Sequence, residues 1–482
     1  GHRGLDPQSR APATAQDDGP LRGWHYTVQL DQALSVARVG VCFDGRPPEM
    51  FVPGLPKHAR WATTIQTSQG QRLPRTRRGV RLGGLAAGAC IDIEIDLDAL
   101  APEGGGGRIA RRVGDSVIAR ATAWLWRPSE LPPRANVTLT FELPPGYQAS
   151  VPWPTVDDAP RGPNATYKLG PTTFQWLAYA VWGDVNLLHM KRRGARLEVV
   201  TLDQKIECSD AGLEAWLGDT VDIVAPLYDG RFPREQLRVV VVPVAAQGGA
   251  VYFGMAARGG GPGIFIMLDE GAEDRDLLHG WTTVHEMLHH GMPFIVEPWM
   301  AEGWVTYYTE LMRARSEQHD EATGWARLAD GFARGERGGR GTTLQATSDA
   351  MHDGFAYQRV YWGGAAIAFL TDVALREDSG GTRTLDDAMV ELRRCCGDTP
   401  KRWRADEVLA HLDQWYGKPL FSETAARYLA SVAFPPVAHA LQRLGVEVDA
   451  EGEVRLDDTN PGAVMRRSIM QNMSVAPDLG GS

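Results

Sequence analysis

The chain of 482 residues is long enough for about two to four domains, and its 43% hydrophobic and 23% charged residues are the balance of a globular protein. A formal net charge of -10 argues against nucleic acid or an anionic membrane surface as partner. The longest apolar runs, such as 239–246, fall far short of the roughly 18 residues that a membrane span requires.

In chain order, residues 1–21 are polar, rich in Ala, Pro, Gly and Asp, and are expected to form a disordered leader. With a first residue other than Met, they tilt the expected location slightly toward export, periplasmic or extracellular, over the cytoplasm. From 22 to 160 the pattern has period two. Tyr26, Val28 and Leu30 alternate with polar neighbours, as do Ile91, Ile93, Ile95 and Leu97, and again Val137, Leu139, Phe141 and Leu143. Strands with one wet and one buried face, separated by Pro and Gly turns, predict an N-terminal antiparallel β-sandwich. The proline-rich stretch 152–163 reads as the linker out of it.

Residues 161–320 are mixed α/β: a helix over 213–227, a buried strand over 237–244, a glycine cluster at 259–263 and a strand over 264–268. Two strong helices follow. One is expected over 277–291, stopped by Gly291 and Pro293; the other begins at Pro298, a favoured first-turn residue, and runs to Arg315. Residues 321–470 show helical spacing over 361–376, 385–394, 406–416 and 423–430, which predicts a C-terminal helical domain, and 471–482 reads as a polar tail. The fold class is therefore multidomain α+β. The Cys at 42, 90, 208, 395 and 396 lack the spacing of a metal motif and leave the redox compartment open. Cys395 and Cys396 are expected to be ordinary unpaired thiols.

Residues 285–289 read His-Glu-Met-Leu-His within a predicted helix. Positions four apart share a face, so His285 and His289 can converge on one ion, while Glu286 is rotated beside it and can take a proton from a water. A pattern of this kind is expected by chance about 0.02 times in a chain of this composition. Two imidazoles leave a catalytic zinc one protein ligand short, and Glu302, early in the next helix, supplies it, giving His2Glu plus an open place for water. Glu297 is the alternative third ligand, although Pro298 pushes it off the helix. His290 and His279 lie off the metal face.

The run His285 to His289, followed by Trp299-Met300-Ala301-Glu302-Gly303 and Thr306-Tyr307-Tyr308, resembles the gluzincin peptidases, most closely the glycyl aminopeptidase family. Tyr361-Trp362-Gly363-Gly364 is similar to that family's Tyr-x-Lys-Gly helix, with Gly363 in place of the Lys. The resemblance implies a thermolysin-like zinc catalytic domain between a β domain and a helical domain, one Zn2+ per chain and a peptide or protein substrate. It nominates Tyr361 as the oxyanion donor, with Tyr357 one turn earlier able to share the role, and Gly260 and Gly261 beside the substrate. No acidic residue follows these glycines, so the end of the peptide attacked stays open; the strand 264–268 is expected to pair with an extended peptide through its backbone. The function expected is hydrolysis of peptide bonds by a metal-activated water. The alternatives are a hydrolase of a non-peptide substrate on the same scaffold and a non-catalytic zinc-containing binding protein.

Overall fold

The computed structural model describes residues 18–104, 107–245, 248–278, 280–339 and 341–471. The expected leader falls almost wholly outside this set, as do His279 and the tail from 472 onward. The described chain forms two compact units: one from residues up to Val185 together with Gly259–Gly261, the other from Asn186–Arg258 and from Pro262 onward.

The first unit holds strands β1 (Gly23–Leu30), β2 (Val36–Asp44), β3 (Ala62–Thr67), β4 (Cys90–Asp96), β5 (Ala110–Val113), β6 (Ser116–Arg120), β7 (Asn136–Glu142), β8 (Gln148–Ser150), β9 (Tyr167–Leu169) and β10 (Tyr179–Gly183). They make a six-stranded sheet, β9-β7-β1-β2-β4-β3, and a four-stranded one, β8-β10-β6-β5, beside a small sheet of shorter strands. The alternation behaves as its period requires: Tyr26, Val28, Ile91, Ile93, Ile95, Val137, Leu139 and Phe141 are all buried. Two expectations fail. The large sheet is not wholly antiparallel, because β1 and β7 run parallel; more than a hundred residues join them, so no hairpin fixes their direction. Nor does the proline-rich stretch close the unit, since β9 pairs with β7 and β10 with β6 beyond residue 160.

A disulfide joins Cys42 and Cys90, which face each other on β2 and β4. Cys395 and Cys396 are also joined, so the expectation of free thiols is corrected: adjacent residues bring the two sulfurs within bonding reach. Among the described residues Cys208 alone is a free cysteine, and burial pushes its thiol up to about 11.

In the second unit, β11 (Asn186–Arg192), β12 (Ala195–Thr201), β13 (Gln236–Val244), β14 (Val251–Ala257) and β15 (Gly263–Asp269) form a sheet in the order β11-β12-β13-β15-β14. β12, β13 and β15 are parallel, with β11 and β14 antiparallel on the flanks. Residues 237–244 are buried on both faces, which is why they read as a continuous apolar run rather than an alternation. Helix α1 (Asp210–Val224), capped by the Ser209 hydroxyl, provides the crossover from β12 to β13. The remaining helices used below are α2 (Trp281–His289), α3 (Pro298–Arg315), α4 (Glu321–Arg337), α5 (Tyr357–Asp378), α6 (Leu385–Cys396), α7 (Ala405–Tyr416) and α8 (Leu420–Leu429). One apolar core runs through sheet and helices alike, from Val239 and Ile266 through Leu288 and Trp304 to Phe369 and Leu412, so packing shows no break at residue 320.

Helix α3 is the hub. Tyr307 donates to Asp372 of α5 at 2.7 Å and Tyr308 to Asp386 of α6 at 2.7 Å. Nearer its start, α3 meets α5 backbone to backbone: a Cβ on Gly364 would lie 1.8 Å from the Trp299 carbonyl oxygen, and one on Gly303 would lie 2.4 Å from the Gly364 Cα. Only glycine permits helix axes this close.

Candidate active site

Helix α2 is shorter than the 277–291 expected. A separate turn, Asp274–Leu277, carries its own capping box from Glu273 and Asp276, and Gly280 is extended before α2 begins. Glycine at this point makes a continuous helix costly, by about 1 kcal/mol relative to Ala. Past His289, His290 and Gly291 close the helix, and residues 290–297 reverse the chain into α3, whose bounds match the expectation. The reversal is clasped from the start of α7: the Val296 amide donates to the Trp403 carbonyl and the Trp403 amide to the Phe294 carbonyl, both at 2.8 Å, and the Glu297 carboxylate accepts from the Ala405 amide at 2.7 Å. That bond accounts for Glu297 and leaves Glu302 as the acid facing the histidines.

The two helices bring His285, His289 and Glu302 together. One carboxylate oxygen, Glu302 Oε2, stands 2.9 Å from His285 Nε2 and 3.2 Å from His289 Nε2. Tetrahedral zinc with bonds near 2.0–2.1 Å places its ligands about 3.3 Å apart, so this donor set fits such an ion with little movement. Burial alone would raise the Glu302 carboxyl, but His289 and the hydrogen bonds from both imidazoles outweigh it and hold the group well below the usual carboxylate range.

The surroundings fix the imidazoles. Thr309 Oγ1 donates to the Val305 carbonyl at 2.7 Å and lies 3.2 Å from His285 Nδ1. With its proton committed to Val305, the hydroxyl can only accept, which favours a proton on His285 Nδ1 and the release of Nε2 from Glu302 to a bound metal. Trp281, one turn earlier on α2, stacks on His285 at 4.3 Å between ring centroids. Its indole N–H is anchored on Glu310 at 2.8 Å, and Glu310 is in turn paired with Arg327 at 2.7 Å. Half-buried Arg258 donates to the carbonyls of His289 and Met292, holding the end of α2 where cations are favoured. Burial, with Arg234 nearby, pushes its guanidinium down to about 9. Sequence reasoning missed all of these partners.

Glu286 is buried, and burial pushes its carboxyl up, opposed by His289 and His285. Strand β14 passes over it: the Ala256 amide is hydrogen-bonded to the carboxylate, and a Cβ on Gly254 would lie 3.1 Å from the Glu286 Cγ. Tyr361, on α5, lies parallel to the His285 ring at 6.0 Å, with its hydroxyl in hydrogen-bonding reach of Glu302. Burial, then Glu302 and Glu286, raise its pKa, so the phenol keeps its proton. Tyr357 packs edge-on against Tyr361 at 6.4 Å and is 38% exposed. His290 is fully buried with Nε2 2.7 Å from the Gly263 carbonyl oxygen, and burial drives its pKa well below the ordinary value, as a structural neutral imidazole requires.

Two expectations about substrate contacts meet different surroundings. The strand 264–268 is not an edge: β15 is hydrogen-bonded to β13 on one side and β14 on the other, so its backbone groups are already used. The edge strand on this side of the sheet is β14. Gly260 and Gly261 pack within the first unit, where a Cβ would fall 2.1 Å from Trp153 Cδ1 and 2.1 Å from the Pro152 carbonyl oxygen respectively. Close packing is thus reason enough for glycine at both positions.

No protein-family model and no curated protein matches the sequence. Solved structures do. An aminopeptidase N family protein from Idiomarina loihiensis superposes with a TM-score of 0.68 at 16% identity, over 91% of this chain and 82% of that one. The chain has the M1 aminopeptidase fold. An M1 zinc metallopeptidase from Deinococcus radiodurans, bound to a Tyr-Ser-Ala substrate, matches with a TM-score of 0.53 at 13% identity, over 86% of this chain and 95% of that one. Yeast LTA4 hydrolase in complex with bestatin matches at 0.54 and 12% identity, over 91% and 73%. The M1 fold agrees with the gluzincin resemblance read from residues 285–303, and it combines several sheets with a helical C-terminal region as the sequence led one to expect.

Proposed function

We propose that this chain is a zinc-dependent peptidase, with the metal held by His285, His289 and Glu302, Glu286 as general base and Tyr361 as oxyanion donor. The observation that carries the reading is the convergence of both Nε2 atoms on one Glu302 oxygen, with a buried carboxylate beside them that no structural ion site would need. The zinc relatives of the same fold support it, as does the finer resemblance to a thermolysin-like catalytic domain. Zinc, when bound, polarises a carbonyl and lowers the pKa of water toward about 7.

The chain's own residues do the rest. Glu286, facing the cluster from α2, takes a proton from the attacking water and returns it to the leaving amine. Tyr361, protonated throughout, donates to the oxygen that gains charge as the carbonyl becomes tetrahedral. An extended peptide adds to the free edge of β14, which sets its scissile bond above Glu286. The Cys42–Cys90 disulfide favours the export reading, because such bonds persist in oxidising compartments.

The test is a digest of a peptide library by the purified chain, with its metal content measured in parallel. Cleavage that stops on chelation and returns with zinc is expected, and the ends of the products report whether a terminus is gripped. A zinc-loaded chain that leaves every peptide whole would defeat the proposal. A second expectation concerns Trp281. Trp281→Ala removes both the stacked ring and the link to Glu310, and should weaken zinc binding by about tenfold, read by competition with a chromophoric chelator. An unchanged affinity would make the stacking incidental.

A further inference from the structure

Away from the catalytic helices, α6 and α7 bring a second set of metal-ligating side chains together. Glu391 and Cys395 are four residues apart on α6 and so emerge on one face. His411, on the facing helix α7, places Nε2 2.8 Å from Glu391 Oε1. The carboxylate oxygen, the imidazole nitrogen and Cys395 Sγ all lie within 4.8 Å of one another. A pair one turn apart, closed by a third donor from the next helix, is the arrangement already described for His285, His289 and Glu302. The Glu391 side chain is buried at 7% exposure, and access runs by His411, whose side chain is 34% exposed.

Besides the contact between His411 and Glu391, two interactions occupy the donors. Cys395 is bonded to Cys396, and Arg394 grips Glu391 with two hydrogen bonds of 2.8 and 2.5 Å. The arginine side chain is 70% exposed, so it can swing into water once a cation takes its place. The disulfide is a firmer block, because a bonded sulfur offers no thiolate.

We propose that Glu391, Cys395 and His411 form a redox-gated site for a thiophilic divalent ion such as zinc, shut while the Cys395–Cys396 bond stands and opened by its reduction. A dithiol supplies the two electrons and two protons: the S–S bond breaks, two thiols form, and the dithiol closes to its own disulfide. The entering ion displaces the proton of the Cys395 thiol to solvent, and neutral His411 and the Glu391 carboxylate complete three protein donors with a fourth place for water. A thiolate, an imidazole and a carboxylate together select zinc-like ions over magnesium or calcium.

The experiment titrates the full chain with cobalt(II) before and after reduction by a trialkylphosphine, which adds no thiol of its own. Reduction is expected to add one cobalt equivalent per chain, with a sulfur-to-cobalt charge-transfer band in the near ultraviolet. Cys395→Ser should abolish the added equivalent and its band, and His411→Ala should weaken it by about tenfold or more. Arg394→Gln, which frees the carboxylate, should tighten it. The proposal is overturned if reduction adds neither equivalent nor band, or if both persist unchanged in Cys395→Ser or in His411→Ala.

Discussion

Glu286→Gln is expected to lower peptide turnover by about 10²- to 10⁴-fold, the contribution of a positioned general base, while leaving the zinc content of the chain unchanged. The amide keeps the size of the carboxylate and can still accept from the Ala256 amide, so the packing under β14 survives. What it loses is the ability to take a proton. The metal donors lie on other residues, and the Thr309 contact that orients His285 is not touched by the substitution. Steady-state hydrolysis of a peptide found in the library digest, with zinc measured on the same preparation, decides the matter. Turnover within a few-fold of the parent would remove Glu286 from the chemistry, and a variant stripped of zinc would show that it serves the metal instead.

Gly364→Ala is expected to damage both stability and site. The added methyl would lie 1.8 Å from the Trp299 carbonyl oxygen and 2.8 Å from the Gly303 Cα, both backbone, so no side chain can turn away to admit it. Helices α3 and α5 must part, at a cost of about 3 kcal/mol or more, and the parting carries Tyr361 away from Glu302. Gly363→Ala is the matched control. The nearest atoms to its methyl are in the Leu344 side chain, at 2.9 Å and beyond, and a side chain can shift where backbone cannot. Thermal unfolding of the two variants should therefore differ clearly, with activity lost in the first and largely kept in the second. Equal destabilisation would mean that the close approach of the two helices is not what places the tyrosine.

The metal cluster was legible because its signal is local: a four-residue spacing on a helix, then a proline-started helix carrying an acid. Helix α3 was readable to the residue, since Pro298 announces its start and Arg315 ends its periodic run. Strand β14 was not. Its sequence, Val-Tyr-Phe-Gly-Met-Ala-Ala, lacks alternation, carries a bulge near Tyr252 and breaks its apolar run with a glycine whose reason is the approach of Glu286. With β14 unseen, the next strand looked like an edge. Partnerships distant in sequence were equally silent, and nothing around Trp281 names Glu310 or Arg327. The parallel pairing of β1 with β7 failed for the same reason: alternation tells which face is buried, never which neighbour a strand takes or in which direction.

The continuity of packing across residue 320 bears on how such a protein can be rearranged. The reversal into α3 is buckled to the start of α7, and the phenol beside the metal donors is borne by α5. A graft of the sheet with helices α2 and α3 alone would arrive with its buckle undone and without the tyrosine beside Glu302. Any chimera that preserves the cluster has to transplant the helical half with it, as a single cassette.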